Sequence, residues 1–119
     1  TLIARFFASP LGEKMRRVTK LHREFQFSVL TPAERYFEIP AGESILLQGV
    51  IDCWFETEEG ICLVDFKTDR VFGEKIEERA ETYREQLNVY CYALEEITHR
   101  PVTHRILWFL IPNRGVELI

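Results

Sequence analysis

The stretch "GVIDCWFETEEGICLVDFKTD", Gly49–Asp69, decides the fold. Two runs rich in strand-forming residues flank the polar turn Glu56–Gly60, the pattern of a β-hairpin. Each run carries an aspartate where a core residue is expected. Asp52 and Asp65 stand 13 positions apart, and Lys67 follows two residues after the second. Residues two apart on a strand project from the same face, so Asp65 and Lys67 share one. Unpaired charge in apolar surroundings is costly. The residues around this hairpin therefore have to explain why the charges are there.

Working outward, the chain reads as helix, strands, helix, strands. "LIARFF" is a short helical piece. "SPLGEKMRRV" can begin another, with Ser9 as N-cap and Pro10 in the first helical position. "REFQFSVL", Arg23–Leu30, alternates Phe25, Phe27 and Val29 against Glu24, Gln26 and Ser28, a half-buried strand. The polar segment from Thr31 to Ser44 reads as a loop. In "ILLQGVIDCWF", Ile45, Leu47, Ile51, Cys53 and Phe55 make one apolar face, and Gln48, Val50, Asp52 and Trp54 a mixed one. "ICLVDFKT" is the paired strand. From Glu74 to Thr98, apolar residues recur at helical spacing, which predicts one long helix. "ILWFLI", Ile106–Ile111, is a continuous apolar run suited to a strand covered on both faces. A turn at "PNRG" leads to a short last strand, "VELI". Three strands, a long helix and two strands predict an α/β fold with a mixed sheet flanked by helices.

The 119 residues suit one domain. No apolar run approaches the roughly 20 residues that cross a membrane. The N-terminal segment has no signal-peptide pattern, and a cytoplasmic protein is expected. The first residue is Thr1 rather than Met, so a fragment of a longer chain is expected. Three cysteines, Cys53, Cys62 and Cys91, form no CxxC and predict reduced core thiols rather than a zinc site or disulfide scaffold. The net charge of −4 argues against a simple basic nucleic-acid binder. It leaves room for an acidic site that holds cations, because the ions reverse the local sign. No GxxxxGK[ST] occurs, so no ATP-driven motor is expected in this stretch.

Paired strands lie about 4.8 Å apart, so carboxylates on the two arms of a hairpin can converge. Close carboxylates repel unless a proton or cation lies between them. Mg²⁺ suits such a place, because it takes oxygen ligands and keeps several waters. A lysine on the same face can orient or deprotonate an attacking water, or stabilise charge on a phosphate. A DxK tripeptide alone is common and reads as a surface ion pair. The combination Gly49-x-x-Asp52, turn, Asp65-Phe66-Lys67, then a helix with Gln86-x-x-x-Tyr90 is far more specific.

With those motifs, "GVIDCWFETEEGICLVDFKTDRV" and "YREQLNVYCYAL", the chain resembles the RecB-type nuclease domain of the PD-(D/E)xK superfamily. The likeness is closest to the C-terminal nuclease domain of the AddA or RexA type, from bacterial ATP-dependent helicase-nucleases. It extends over the "ASPL" and "REFQF" segments. The resemblance implies a restriction-endonuclease-like fold and Mg²⁺- or Mn²⁺-dependent DNA cleavage in double-strand-break repair by recombination. It implies that Asp52, Asp65 and the Phe66 backbone carbonyl ligate the metal, and that Lys67 is catalytic. Glu24 would be an accessory acid. Gln86 and Tyr90 would contact DNA or support the catalytic groups. The implied partners are DNA and a second subunit of the AddB or RexB type, with no membrane.

The family usually carries a further metal-ligand histidine on a helix upstream of the segment that matches "ASPL". His22, His99 and His104 do not stand in that context. Residues 1–119 are therefore expected to form a partial nuclease domain, weak or inactive in isolation. The rival reading is a non-catalytic module that keeps this fold and binds DNA or a partner subunit. Degenerate copies usually lose the acids or the lysine, and here all are present. A Cas4-type nuclease would need cluster-binding cysteines in an arrangement these three lack.

Overall fold

The computed structural model describes residues 1–119. The elements in chain order are α1 (Leu2–Phe7), α2 (Pro10–Arg17), β1 (Leu21–Pro32), a 3-10 turn (Ala33–Arg35), β2 (Ser44–Glu56) and β3 (Ile61–Lys67). There follow α3 (Lys75–Glu81), α4 (Arg84–Thr98), β4 (Val102–Phe109) and β5 (Arg114–Glu117). The strands form one five-stranded sheet in sequence order. β1, β2 and β3 are an antiparallel meander, β3 and β4 are parallel, and β5 returns antiparallel to β4. The parallel step requires a crossover, and α3 and α4 supply it. The expected α/β architecture, a mixed sheet flanked by helices, is the one found.

Each sheet face has its own core. Ile61, Leu63, Leu107 and Phe109 pack with Ile76 and Ala80 of α3 and with Leu87, Cys91 and Leu94 of α4. The opposite face brings Phe55, Val64 and Trp108 against Phe6 of α1 and Met15 of α2. Phe6 is fully buried, with edge-on ring contacts to Phe66 at 4.9 Å and Trp108 at 5.0 Å. β3 therefore has helices over both faces, and Ile61–Asp65 are all buried. Ser9 caps α2, its hydroxyl accepting from Gly12 N at 3.1 Å, with Pro10 in the first turn. α4 ends at His99, whose φ of 59° is left-handed, and Pro101 follows. Cys53, Cys62 and Cys91 are buried and unpaired. Burial pushes their thiols up, to about 12, 11 and 11, as expected of inert core cysteines. No helix is long and apolar enough to cross a membrane.

Several boundaries differ from the sequence reading. β1 runs to Pro32 rather than Leu30, because Thr31 and Pro32 still pair with Ile45 and Ser44. Proline is tolerated there because β1 is an edge strand. β4 begins at Val102 and stops at Phe109, and β5 begins at Arg114. The long helix is two helices. Thr82 and Tyr83 interrupt it, with Tyr83 at φ −101° and ψ 0°. The Thr82 hydroxyl donates to the Arg79 carbonyl at 2.6 Å, and the Tyr83 amide to Ala80 at 3.0 Å, which tightens the turn and ends α3.

The expected single apolar face of β2 is also corrected. Ile51 packs under α4, but Cys53 and Phe55 pack under α1 and α2, while Trp54 returns to the α4 side. A regular strand would keep positions 51, 53 and 55 on one face. The cause lies on β1, where Glu24 has a φ of 49° in the left-handed region. The rungs on either side, Arg23↔Cys53 and Phe25↔Ile51, keep register, so the ribbon turns over at the Glu24–Asp52 rung.

α1 and α2 meet so closely that a Cβ on Gly12 would lie 2.1 Å from the Phe6 carbonyl oxygen and 2.5 Å from Phe7 Cα. Both are backbone atoms and cannot rotate aside. Gly12→Ala is expected to open this corner and lower stability by about 2 kcal/mol, as overpacking does. Urea denaturation of the two chains measures it, and an unchanged midpoint would contradict the close approach.

Candidate functional site

The site lies where β2 and β3 part. Their ladder runs from Glu56↔Ile61 to Cys53↔Val64 and stops one rung short of Asp52 and Asp65. Alternation of hydrogen bonding along an antiparallel pair would give the Phe66 N–H to the Ile51 carbonyl. Instead it donates to Asp52 Oδ2 at 2.8 Å. The turnover of β2 at Glu24 explains this, because it swings the Asp52 side chain toward the neighbouring strand. The carboxylate thus replaces a main-chain rung. In an extended strand the N–H and C=O of one residue leave on the same side, so the Phe66 carbonyl also faces this gap.

Asp65 is 4% exposed and reaches the same gap from β3. Its carboxyl lies within hydrogen-bonding reach of Asp52, and its pKa is raised to about 6. Burial is the largest cause, followed by the Asp52 carboxyl, and the opposing pull of Lys67 does not cancel them. Lys67 Nζ lies 3.0 Å from Asp65 Oδ2. The contact is a buried ion pair that pulls the Asp65 pKa down without cancelling the effect of burial. Lys67 also donates to Gln86 Oε1 at 2.9 Å.

Gln86 and Tyr90 both come from α4. The ring of Tyr90 meets Phe27 edge-on at 5.8 Å. Burial raises its pKa, and the charges of Asp65 and Asp52 raise it further. Gly49 makes room for this packing. A Cβ there would lie 2.7 Å from Phe27 Cε2 and 3.4 Å from Tyr90 Cε1. On the opposite side, Glu24, Arg23, Asp52 and Phe66 help line an open cavity of about 300 Å³, walled by Phe7, Met15 and Leu110. Glu24 is exposed and stands across the β1–β2 pair from Asp52. Left-handed backbone in a mid-strand glutamate is strained, and such strain tends to persist at functional sites.

The structure thus brings Asp52, Asp65, Phe66, Lys67 and Gln86 to one place, with Glu24 at the rim of the adjoining cavity and Tyr90 one turn on from Gln86, packed on Phe27. It also adds residues that lie outside those motifs. The Lys67 ammonium lies 4.1 Å above the centre of the Tyr83 ring. The Tyr83 hydroxyl donates to Asp69 Oδ2 at 2.7 Å, and Arg79 pairs with the same oxygen at 2.7 Å. The signals were Asp69 two residues beyond Lys67 and Tyr83 three before Gln86, but neither spacing revealed the helix break that joins them. The histidines stay apart from the pair: His22 stacks on Trp54 at 3.8 Å, and His104 contacts Glu117 at 2.7 Å.

No three His, Cys, Asp or Glu side chains form a metal-binding cluster. The donor set that fits a metal is smaller: two carboxylates and a main-chain carbonyl, all oxygen. Two carboxylates face the gap and Lys67 supplies the one cation beside them, so a further cation would offset the remaining negative charge. Hard oxygen donors with open positions suit a small divalent cation that keeps its waters.

A model of the PD-(D/E)XK nuclease superfamily matches residues 2–116. The chain is 42% identical over 120 residues to an ATP-dependent helicase/nuclease subunit of Carboxydothermus hydrogenoformans, covering 99% of this chain and 10% of that protein. It is 38% identical over 123 residues to the protein of the same name from Lacticaseibacillus casei, covering 100% of this chain and 10% of that one. The relative of the same name from Acetivibrio thermocellus is 38% identical over 117 residues, 94% of this chain and 9% of its own length. The chain therefore spans about a tenth of the length of the curated relatives it matches. By the family match and these identities, on a restriction-endonuclease-like sheet, the chain belongs to the PD-(D/E)XK nuclease superfamily.

Proposed function

We propose that this chain is the catalytic part of an Mg²⁺-dependent DNA nuclease. The observation that carries the reading is the pair of converging carboxylates: Asp65 is buried beside Asp52 with its pKa raised, and the Lys67 ammonium stands 3.0 Å from it. Asp52, Asp65 and the Phe66 carbonyl would hold Mg²⁺ or Mn²⁺. When bound, the ion supplies Lewis acidity and makes water nucleophilic at neutral pH. Lys67 holds positive charge where the scissile phosphate gains negative charge. Gln86 fixes the lysine, and Tyr90 backs the carboxylate pair from α4. Glu24 contributes negative charge at the rim of the cavity beside Asp52.

The family's helicase-nuclease members support a larger setting. In this reading residues 1–119 are a partial nuclease domain of a longer subunit that processes double-strand breaks for recombinational repair. It works in the cytoplasm with a second helicase-nuclease subunit, and DNA is its substrate.

Asp65→Ala is expected to lower DNA cleavage in the helicase-nuclease by more than about a hundredfold, since even outer partners of metal ligands cost 10- to 100-fold. ATP-driven unwinding should stay. Lys67→Ala should suppress cleavage but leave Mn²⁺ binding by calorimetry unchanged, because lysine is not a ligand. Wild-type cleavage by Asp65→Ala would remove the site from this account.

A pH dependence follows as well. Asp65 binds its proton near pH 6 when folded without metal and near its ordinary 3.8 when unfolded. The folded state thus holds the extra proton between those values, and stability falls as pH rises from about 4 through 6. The loss attributable to Asp65 is on the order of 2–3 kcal/mol. Urea denaturation at pH 4.5 and 7.5 should show a smaller difference for Asp65→Asn than for the parent chain. Equal differences would mean that Asp65 ionises without penalty.

A further inference from the structure

We infer that Tyr83 is the positioning residue of Lys67, its ring forming one wall of the ammonium's seat and a clamp from Asp69 and Arg79 fixing the ring. The inference rests on the reading of Lys67 given above. Lysine carries its charge on a flexible four-carbon stem, so a site that uses it must restrict that stem. Gln86 accepts one N–H at 2.9 Å, and Asp65 attracts the charge from 3.0 Å. Those two contacts leave the ammonium free to swing on the side of α3. The face of Tyr83 closes that side at 4.1 Å.

An aromatic face suits this place. It attracts the cation through its quadrupole but takes no proton from it. A second carboxylate there would draw the ammonium away from the Asp52–Asp65 gap. The Lys67 side chain is only 16% exposed, so the contact is partly desolvated and stronger than at an open surface.

The ring is itself held. Tyr83 donates to Asp69 Oδ2, and Arg79 holds the same oxygen from the last turn of α3. Burial pushes the Asp69 carboxyl up, but hydrogen bonds from Tyr83 and Arg79 outweigh it, and its pKa lies below the usual value. The clamp is therefore charged at neutral pH. The break between α3 and α4 now has a function. A continuous helix would set residue 83 at helical φ and ψ, whereas the non-helical backbone at Tyr83 carries the ring over Lys67 and the hydroxyl to Asp69.

The test uses Tyr83→Leu, Tyr83→Phe and Asp69→Ala, with Lys67→Ala as reference. In the helicase-nuclease, Tyr83→Leu is expected to lose about tenfold in the rate of duplex cleavage, the size of a partly desolvated cation–π contact. Tyr83→Phe keeps the ring and should restore the rate to within about threefold, since only the tether is lost. Mn²⁺ titration should be unchanged in both. In the 119-residue chain, the ε-methylene resonances of Lys67 should be shifted upfield by the ring current, keep that shift in Tyr83→Phe, and lose it in Tyr83→Leu.

Should Tyr83→Leu not fold, Asp69→Ala carries the test, because it unties the ring without removing it. Its Lys67 resonances should move toward random-coil positions and cleavage should fall by about threefold. Tyr83→Phe as impaired as Tyr83→Leu overturns the role of the ring. Parental cleavage by Tyr83→Leu beside an inactive Lys67→Ala overturns the inference alone. Parental cleavage by Lys67→Ala overturns the reading of the whole site.

Discussion

Two carboxylates converge on one gap, Asp65 buried and Asp52 half-buried, and the surrounding structure answers that constraint. Asp52 is accommodated because it replaces a strand rung and accepts a main-chain N–H. Asp65 has no such donor, and burial beside Asp52 raises its pKa. The ladder of β2 and β3 ends at Cys53↔Val64, and the Asp52 carboxylate takes the place of the next main-chain acceptor. Lys67, on the same strand as Asp65, offsets part of the cost from 3.0 Å. A buried ion pair of this kind contributes little net stability, since desolvation of both charges opposes their attraction.

The site draws on both sides of the sheet. Asp65 and Lys67 face α4, whereas Asp52, Glu24 and Phe66 border the cavity beneath α1 and α2. A flat sheet would separate these groups by its own thickness. The turnover at the Glu24–Asp52 rung joins them, and strain at one residue is its cost. Asp52 thus borders the cavity on one side of the sheet, while Lys67 and Gln86 meet on the α4 side.

Much of the arrangement was legible in the sequence. The hairpin around Gly60, the Ser9–Pro10 helix start and the stripe Leu87, Cys91, Leu94 follow from local rules, and the structure has each of them. Asp52, Asp65 and Lys67 stood out because charge is expensive in an apolar run. What stayed hidden depends on backbone conformation rather than residue type. Nothing in "HREFQF" marks Glu24 as left-handed, so the phase of β2 read as continuous. Nothing in "RAETYREQ" marks Thr82 and Tyr83 as a break, because every residue there is compatible with a helix. In both places tertiary contacts override local preference, and both border the site.

The crossover through α3 and α4 also sets an order of assembly. β1, β2 and β3 are joined through residues 33–43 and 57–60, both shorter than the crossover, and can pair as a local meander. β3 and β4 pair only after the whole of Thr68–Pro101 has been closed into a loop, and loop-closure entropy makes such non-local pairing slow. The meander alone already brings Asp52 and Asp65 together, before α4 can deliver Gln86 or the turn at Tyr83 can seat the lysine. The early hairpin must therefore bear its charge repulsion in open water, where the high dielectric makes it mild. The penalty grows only as the helices close over the sheet. The folding barrier should thus feel the two carboxylates late, when the layer that dries the gap is also the one that brings their supporting residues.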